Sequence, residues 1–356
     1  MNVNSILCLL ILLIPFLGIT QTLDKNKEYQ LACFGFYNLE NLFDTIADTD
    51  TNKILQEDFT PKGSKQWNSK KYFHKLNNMA HVISKLGVSN ASPDGATILG
   101  VCEIENKTVL IDLAANEKIK ARNYQIVHHE GPDRRGIDCA LFYNPKYFKV
   151  ESSKSFTLKM PNDSTFFSRD QLLVTGYFMG ERTHFMVFHW PSRRGGEKKS
   201  RPKRVQAAML ARSITDSIRT AEKDAKIILM GDFNDDPVSS SVKDFIKAEG
   251  DIKNINPANF YNCMFEKYKK GIGSLAYRDN WNLFDQFIVT PSLITNNSDY
   301  SSFKYFSSTV YNKSFLKNKE GNFAGYPFRS YVGSTFMGGY SDHFPVYIYL
   351  VREKTK

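Results

Sequence analysis

The sequence predicts an α+β fold in which two packed sheets, mainly antiparallel, are flanked by helices. Nine short apolar runs rich in β-branched and aromatic residues recur along the chain, and each ends in turn or polar residues. Few segments have helical periodicity, and no repeat of about 20–50 residues or low-complexity linker divides the chain. Strand runs interrupted by a few helices are typical of sheets that pack on one another with helices outside.

Each predicted strand has a length that is usual for strands in globular proteins. The strands cover residues 31–37, 97–104, 124–127, 137–143, 172–179, 184–189, 226–230, 283–290 and 346–351.

Apolar residues at three- and four-residue steps predict helices over residues 67–86 and 201–222. Pro202 suits the first turn of the second helix, because a first-turn residue needs no N–H donor. A shorter helix is predicted over 238–248. Residues 296–331 are polar and aromatic with weak periodicity, so we expect a long, partly ordered excursion there.

The chain has 356 residues, of which 24% are charged, and this composition excludes wholesale disorder. Lys and Arg number 47 against 37 Asp and Glu, giving a net charge of +10. A basic balance favours polyanionic partners such as nucleic acid or acidic lipid head groups, but does not define a fold.

The N-terminus has the features of a secretory signal. Residues 6–17 are almost wholly apolar, a run too short to span a bilayer but of the right length for a signal sequence. We therefore expect a signal peptide over 1–20, a domain over 28–354, and an exported protein, periplasmic or secreted, without stable membrane insertion. No Lys or Arg precedes the run and Cys8 lies within it, so a retained N-terminal anchor is the alternative.

Cys33, Cys102, Cys139 and Cys263 remain after the predicted leader, and no CxxC spacing occurs. A structural zinc site is therefore not expected. The first three lie in apolar runs, where cysteine usually behaves as a small buried hydrophobe. A disulfide stays open for an exported protein, and the sequence does not choose a pair.

Six polar motifs lie at the ends of the predicted strands, where they can converge on one rim of the sandwich. Asp232 and Asn234 are two residues apart, so in extended backbone both would point to the same face. Asp342 and His343 are adjacent and should therefore serve different partners. Carboxylate and amide oxygens suit a hard divalent cation, and a carboxylate-paired histidine makes a good general base. The motifs span residues 36–41, 101–106, 188–193, 230–235, 283–286 and 341–346.

In order and content these motifs resemble the endonuclease/exonuclease/phosphatase superfamily, which includes pancreatic-type deoxyribonucleases. The strongest similarity lies in Gly-Asp-Phe-Asn-Asp at 231–235 and Ser-Asp-His-Phe-Pro-Val at 341–346. Segments 38–44, 135–138 and 189–197 resemble an exported bacterial branch of it. The resemblance implies a four-layered α/β sandwich and metal-dependent hydrolysis of phosphate esters.

The resemblance also implies roles for individual residues. Asn38 and Glu103 would hold Mg²⁺, with Mn²⁺ as the alternative, and Asp342 would lie at the metal or its shell. His343 would be the base that activates water, and Asp285 would orient it. One cation would polarise the phosphoryl oxygen and offset the developing charge.

The remaining residues would act on the phosphate. Asp232 and Asn234 would position the attacking water and the scissile phosphate, and His189 would hydrogen-bond the phosphate or protonate the leaving oxygen. The residues expected to contact phosphate oxygens are Arg135, Arg169, Arg193 and Arg194.

The segment from Arg193 to Arg204 contains seven cationic residues and one acidic residue, Glu197. This charge favours contacts with a nucleic acid backbone, DNA before RNA, and the alternative is a loop that is only solvated. The leading hypothesis is thus an exported, Mg²⁺-dependent phosphodiesterase that acts on nucleic acids as a monomeric nuclease. A phospholipid or sugar-phosphate hydrolase of the same superfamily is the alternative. A noncatalytic surface-binding protein is the third hypothesis, although no expected metal ligand or base is missing.

Overall fold

The computed structural model describes residues 23–354 except 25, 56, 254 and 295–298. The predicted leader lies outside the described residues. The strands are β1 (Tyr29–Leu42), β2 (Ala96–Ile104), β3 (Gln125–His128), β4 (Asp138–Tyr143), β5 (Phe148–Phe156), β6 (Gln171–Phe178), β7 (Glu181–His189), β8 (Lys226–Asp232), β9 (Ala248–Glu249), β10 (Phe260–Asn262), β11 (Leu275–Tyr277), β12 (Asn280–Asn282), β13 (Asp285–Val289), β14 (Lys304–Val310), β15 (Tyr331–Val332), β16 (Thr335–Phe336) and β17 (Val346–Glu353).

Two large sheets form the sandwich. The first has the order β14-β17-β1-β2-β4-β3 and the second β5-β6-β7-β8-β13-β10-β9. Most neighbouring strands are antiparallel, but three pairs are parallel: β1 with β2, β7 with β8, and β9 with β10. Two hairpins, β11-β12 and β15-β16, lie apart from the sheets. The predicted α+β class is confirmed, and each of the nine predicted strands overlaps an observed one.

The sheets pack through a core of buried aromatic and aliphatic side chains. Phe34 of the first sheet makes edge-to-face contacts with Phe178 and Phe185 of the second, with ring centroids 4.8 and 5.1 Å apart. Gly100 of β2 lies opposite Met230 of β8, and a Cβ at this glycine would come within 2.6 Å of the Met230 sulfur. The glycine thus lets the two sheets approach closely at their centre.

The helices cover the outer faces and begin where capping chemistry allows. The first helix starts after Asn68, whose side chain accepts a hydrogen bond from the backbone N–H of Lys71. The helices are α1 (Ser69–Lys85), α2 (Lys107–Ala114), α3 (Glu197–Ala221) and α4 (Phe265–Lys269), with 3₁₀ turns at Lys120–Arg122, Pro291–Leu293 and Ser314–Leu316.

The placement of Pro202 in a first turn is wrong. Helix α3 begins at Glu197, which makes Pro202 its sixth residue and removes one intrahelical hydrogen bond. Arg201 and Arg204 explain the extra turn, because both reach back to Glu197 across one or two helical turns.

Two other predictions also need correction. Residues 238–248 form only a π-helical turn at Ser241–Ile246, because Lys247 is left-handed and Ala248 pairs with β10 instead of extending a helix. The expected excursion over 296–331 contains β14, six of whose residues pair with β17 in the first sheet. Strand β14 contains four polar residues among its seven and only part of it is buried, so no apolar run marked it as a strand.

Cys33, Cys102, Cys139 and Cys263 are all buried and free, so the prediction for the first three is confirmed. Burial raises the pKa of each thiol above its usual range. In the described part of the chain, no helix has both the length and the apolar character needed to cross a membrane.

Candidate active site

Strand register brings the polar motifs together. In the second sheet, Asp232 at the end of β8 lies opposite His189 of β7 on one side and Asp285 of β13 on the other. In the first sheet, Asn38 of β1 and Glu103 of β2 lie at the same ends of two parallel strands. Since the sheets pack face to face, both sets of side chains meet at one rim of the sandwich.

His343 and Asp285 form a buried pair. The Nδ1 atom of His343 lies 2.7 Å from Oδ2 of Asp285, and the backbone N–H of His343 donates to the Ser341 hydroxyl. Burial alone would lower the pKa of His343, but the carboxylates of Asp285 and Asp232 outweigh it and hold that pKa well above its usual value. The predicted contact between base and orienting carboxylate is therefore present.

Asp232 lies at the centre of the cluster. Its Oδ2 accepts a hydrogen bond from Nδ2 of Asn38 at 3.1 Å, and lies 3.8 Å from Nε2 of His343 and 3.7 Å from Nε2 of His189. Burial, reinforced by the negative charge of Asp285, raises the pKa of Asp232 to about 7. A carboxylate between two imidazoles can hold a water molecule or a proton in line with a reacting group.

Asn234 is not on an extended strand, so the expectation that it shares a face with Asp232 by alternation is wrong. Strand β8 ends at Asp232, and Asn234 is left-handed with φ of 50°. Its backbone N–H donates to Oδ1 of Asp232 at 2.9 Å, and its side-chain amide donates to the Trp190 carbonyl. This local turn still keeps Asn234 beside Asp232.

Glu103 faces the cluster from the first sheet. Its Oε2 accepts a hydrogen bond from the Asn41 backbone at 3.0 Å, while its Oε1 lies 3.7 Å from Nε2 of His189 and 3.4 Å from a guanidinium nitrogen of Arg135. Arg135 is thus the one arginine of the four predicted phosphate ligands that touches a proposed metal ligand.

Four residues at this rim have left-handed backbone conformations. The backbone φ angles of Glu40, Asn41, Glu103 and Asn234 lie between 48° and 60°, a region that residues other than glycine rarely adopt. Such conformations cost of order 1–3 kcal/mol each and persist where surrounding contacts enforce them. Here they turn the chain sharply so that successive polar side chains reach one point.

Asp342 serves a different partner from His343, as expected. Its Oδ2 accepts a hydrogen bond from Nη2 of Arg329 at 2.8 Å, and Nε of Arg329 lies 3.3 Å from Oε1 of Glu40. Burial raises the pKa of Asp342, but the positive charges of His343 and Arg329 outweigh it and hold that pKa below its usual value. Burial beside Asp342 raises the pKa of Glu40 to about 7.

The sequence did not single out Arg329 or Lys75, yet both support this rim. Lys75 of α1 is fully enclosed and donates to the Glu40 carbonyl at 2.7 Å and to the Ser330 hydroxyl at 2.6 Å. The available sequence signal was the position of Lys75 on the same helical face as the apolar residues Tyr72, Leu76 and Met79. A lysine at such a position needs polar partners, because lysine is almost never buried without them. Arg329 had no signal, since it lies in a segment without periodicity.

Two of the four predicted phosphate-binding arginines, Arg169 and Arg193, donate their hydrogen bonds to protein oxygens. Arg169 is buried and donates to the carbonyls of His189 and Trp190 and to Asp133, so its guanidinium positions those loops. Arg193 bonds the Asn234 carbonyl, Asp235 and Asp236. These contacts arise because each long side chain finds acidic or carbonyl partners that are distant in sequence.

The basic segment from Arg193 to Arg204 is also less cationic at its surface than its composition indicates. Arg201 pairs with Glu197, and Arg204 is wholly buried with its Nε 2.8 Å from Oδ2 of Asp235. Among the segment's cations, Arg194, Lys198 and Lys199 are exposed and have no ion pair with the described residues.

The Arg204–Asp235 pair should be important for stability. Replacing Arg204 with Met leaves a buried carboxylate without its closest cation, so we expect a loss of about 3–5 kcal/mol in the free energy of unfolding, measured by urea titration. Arg201→Met removes an exposed pair of the same helix and should cost less than about 1 kcal/mol. Equal effects of the two substitutions would contradict this assignment.

The donor set fits a hard divalent cation. The expected ligands Asn38 and Glu103 both lie beside Asp232. Asp232, Asp285 and His343 form an adjoining group whose potential ligand atoms lie within 4.8 Å of one another. Oδ1 of Asp285 is buried without a hydrogen-bond partner in the described part of the chain. Several buried carboxylates and an unsatisfied oxygen match the oxygen ligands that Mg²⁺ prefers.

A second group, His128, Glu130 and Asp138, also has metal-ligand spacing. Nζ of Lys53 lies 3.6 Å from Glu130, so a cation of the protein already occupies this position. Nε2 of His128 lies 3.2 Å from Oδ2 of Asp138, which satisfies the imidazole locally.

At the rim of the two-sheet sandwich, a histidine oriented by a carboxylate lies beside an acidic cluster. This arrangement is typical of hydrolases that activate water at a metal-binding site. Residues 33–352 match the sequence profile of the endonuclease/exonuclease/phosphatase family, so the chain belongs to that family. Members of this superfamily are phosphoric ester hydrolases and typically depend on a divalent metal. No curated protein sequence matches the chain.

Solved structures share the fold. An endonuclease/exonuclease/phosphatase family protein from Bacteroides thetaiotaomicron has 17% identity and a TM-score of 0.52, covering 92% of this chain and 96% of that one. A mannosyl-6-phosphatase from the same organism has 18% identity and a TM-score of 0.51, covering 90% and 99%. TDP2 from C. elegans has 13% identity and a TM-score of 0.52, covering 90% and 75%.

Proposed function

We propose that this protein is an exported, Mg²⁺-dependent phosphoric ester hydrolase that acts as a monomer. The observation that carries the proposal is the buried cluster in which Asp285 orients His343 beside Asp232. Asn38, Glu103 and Asp342 would hold the cation, which when bound polarises a phosphoryl oxygen. Export rests on the apolar run at residues 6–17, which has the length of a signal sequence.

The side chains supply the proton chemistry. His343 accepts a proton from water at Nε2, and the water oxygen bonds to phosphorus as the phosphorus–oxygen bond to the leaving group breaks. Asp285 stabilises the imidazolium that forms, and Asp232 and Asn234 orient the water and the phosphate. His189 lies 3.7 Å from both Glu103 and Asp232, and burial lowers its pKa well below the usual value, so its neutral ring would hydrogen-bond the phosphate.

For the substrate, the geometry favours a small phosphate ester with a polar leaving group. Arg169, Arg193, Arg201 and Arg204 are engaged by protein oxygens, so the basic segment offers fewer charges to a nucleic acid backbone than its composition indicates. A polar cavity of about 270 Å³ instead borders the cluster through Glu40 and Asn41. This reverses the order of the two substrate classes that the sequence favoured.

A nuclease remains the second candidate because of two further observations. Arg194, Lys198 and Lys199 are exposed, and the two lysines lie in the first turn of α3, where cations are unfavourable for the helix dipole. Trp281 is partly exposed and stacks on Phe344, the residue after the proposed base. Exposed cations and aromatic rings together suit single-stranded nucleic acid.

The deciding experiment is a hydrolysis panel with purified mature protein and Mg²⁺. It should contain hexose phosphates, inositol phosphates, plasmid DNA, RNA, sphingomyelin and p-nitrophenyl phosphate. Cleavage of small polar esters with kcat/KM well above that for nucleic acid would support the first candidate. Efficient cleavage of DNA or RNA alone would support the second, and no metal-dependent cleavage of any substrate would overturn the proposed activity.

The salt dependence of DNA binding tests the nuclease candidate separately. If three exposed cations contact the phosphates of single-stranded DNA, log affinity should change with log salt at a slope of about −2.1, a loss of roughly twentyfold between about 50 and 200 mM salt. Replacing Arg194, Lys198 and Lys199 with Met should bring this slope close to zero, as measured by fluorescence anisotropy of a labelled oligonucleotide. An unchanged slope in the triple variant would mean that the segment does not bind phosphates.

A further inference from the structure

The cavity beside the cluster is the feature that the proposed chemistry leaves unexplained. It has a volume of about 270 Å³, and its lining includes Glu40, Asn41, Asp58, Lys65 and Arg329. The backbone N–H of Asn41, a lining residue, donates to Oε2 of Glu103 at 3.0 Å, so the cavity adjoins a proposed metal ligand.

Arg329 connects the two sites. Its side chain, which is 45% exposed, bridges Asp342 on the cluster side and Glu40 on the cavity side. Its Nη1 atom has no hydrogen-bond partner among the described residues, so this nitrogen is available to a ligand. The two carboxylates hold the guanidinium in place, which lowers the entropy cost of presenting that donor.

The lining combines hydrogen-bond donors and acceptors with an aromatic wall. Lys65 lies with its Nζ 5.1 Å from the centre of the Tyr331 ring and donates to the Gly333 carbonyl at 2.6 Å. Asp58 and Glu40 supply carboxylate oxygens, and Asn41 supplies an amide. The charges of Lys65 and Arg329 are thus offset by two acidic side chains within the same cavity.

This chemistry distinguishes between possible occupants. A lipid tail requires an apolar lining, and a second phosphate requires an excess of cations. Hydroxyl groups both donate and accept hydrogen bonds, and the C–H faces of a saturated ring pack against aromatic side chains. The volume lies just below the range of about 300–1,000 Å³ that is usual for drug-sized ligands, so it suits one ring.

We infer that this cavity binds a single polyhydroxylated ring, a sugar or cyclitol, as the leaving group of the phosphate ester. The inference rests on the proposed function, because the ring reaches the cavity only while its phosphate lies in the cluster. Lys65, Asp58 and Arg329 are the residues that select it.

Selectivity between esters tests the inference. The protein with Mg²⁺ is assayed on glucose 6-phosphate, myo-inositol 1-phosphate and p-nitrophenyl phosphate, which carries a flat ring without hydroxyls. We expect kcat/KM to be higher for at least one polyol ester. Lys65→Met and Asp58→Asn should each lower the ratio of the polyol value to the p-nitrophenyl value by about tenfold to a hundredfold, since each removes a charged hydrogen-bonding group.

Lys149→Met is the matched control, because Lys149 is exposed on the edge strand β5 and should leave that ratio unchanged. Melting temperatures of all variants establish that they fold. Metal-dependent cleavage of p-nitrophenyl phosphate with an unchanged ratio in both cavity variants would overturn the inference and leave the proposed function standing. The absence of metal-dependent cleavage of every ester would overturn both.

Discussion

Treatment with EDTA is expected to abolish ester hydrolysis, and Glu103→Gln is expected to weaken metal binding far more than it weakens folding. Glu103 places one oxygen toward His189 and Arg135 and keeps the other on the Asn41 backbone, so glutamine can preserve the second contact. The lost charge should reduce metal affinity by more than the roughly 10–100-fold seen when only outer-shell partners of a metal site are changed. Metal titration of activity and calorimetric Mg²⁺ binding measure both effects.

Glu105→Gln provides a matched control at a buried glutamate two residues away. Burial raises the pKa of Glu105 to about 8, so this side chain is mostly neutral at pH 7 and glutamine is a close substitute. Its oxygen can still accept the hydrogen bond from the Asp44 backbone. We expect nearly normal metal affinity in this variant. Full activity of the metal-free wild-type protein, or equal losses in both variants, would exclude the metal site proposed around Glu103.

His343→Ala should lower kcat by about 10²–10⁴, the usual contribution of a positioned general base. Asp285→Asn should lose much of the same factor, because it removes the carboxylate that lies 2.7 Å from Nδ1 and orients the ring. Steady-state kinetics on the best substrate of the panel measure both losses. His129→Ala, which changes a partly buried histidine bonded to Ser153, should have little effect.

The pH profile adds a readout that a purely structural role of Asp285 would not change. The base works as neutral imidazole, so activity should rise with pH as His343 loses its proton. Because the charges of Asp285 and Asp232 raise the pKa of His343, Asp285→Asn should move this rising limb to lower pH. A limb that stays in place, or near-normal turnover of a folded His343→Ala variant, would show that another group is the base.

Much of the fold could be predicted because the relevant signals are local. Apolar runs of strand length identified the central strands β1, β2, β7 and β8, most of whose residues are buried on both faces, so that these strands are continuous hydrophobic segments in the sequence. Strand β14 was missed because four of its seven residues are polar. Its formation depends on pairing with β17, which lies far along the chain. Helix α3 was placed one turn late because Pro202 is a weaker constraint than the contacts of Arg201 and Arg204.

The candidate site likewise has features that the sequence predicts and features that only the tertiary structure shows. The sequence by itself determined the family and the polar residues at the strand ends, because a strand and the turn that ends it are adjacent in the chain. Only the tertiary structure decided which side chains meet, since the Asp285–His343 and Asn38–Asp232 contacts join residues 58 and 194 positions apart. The sequence did not show which arginines would bond protein oxygens and which would lie at the rim. Arg169 and Arg193 donate to protein oxygens, whereas Arg329 lies at the rim beside Asp342. A long cationic side chain can pair with any acidic group within its reach, and sequence spacing does not encode that distance.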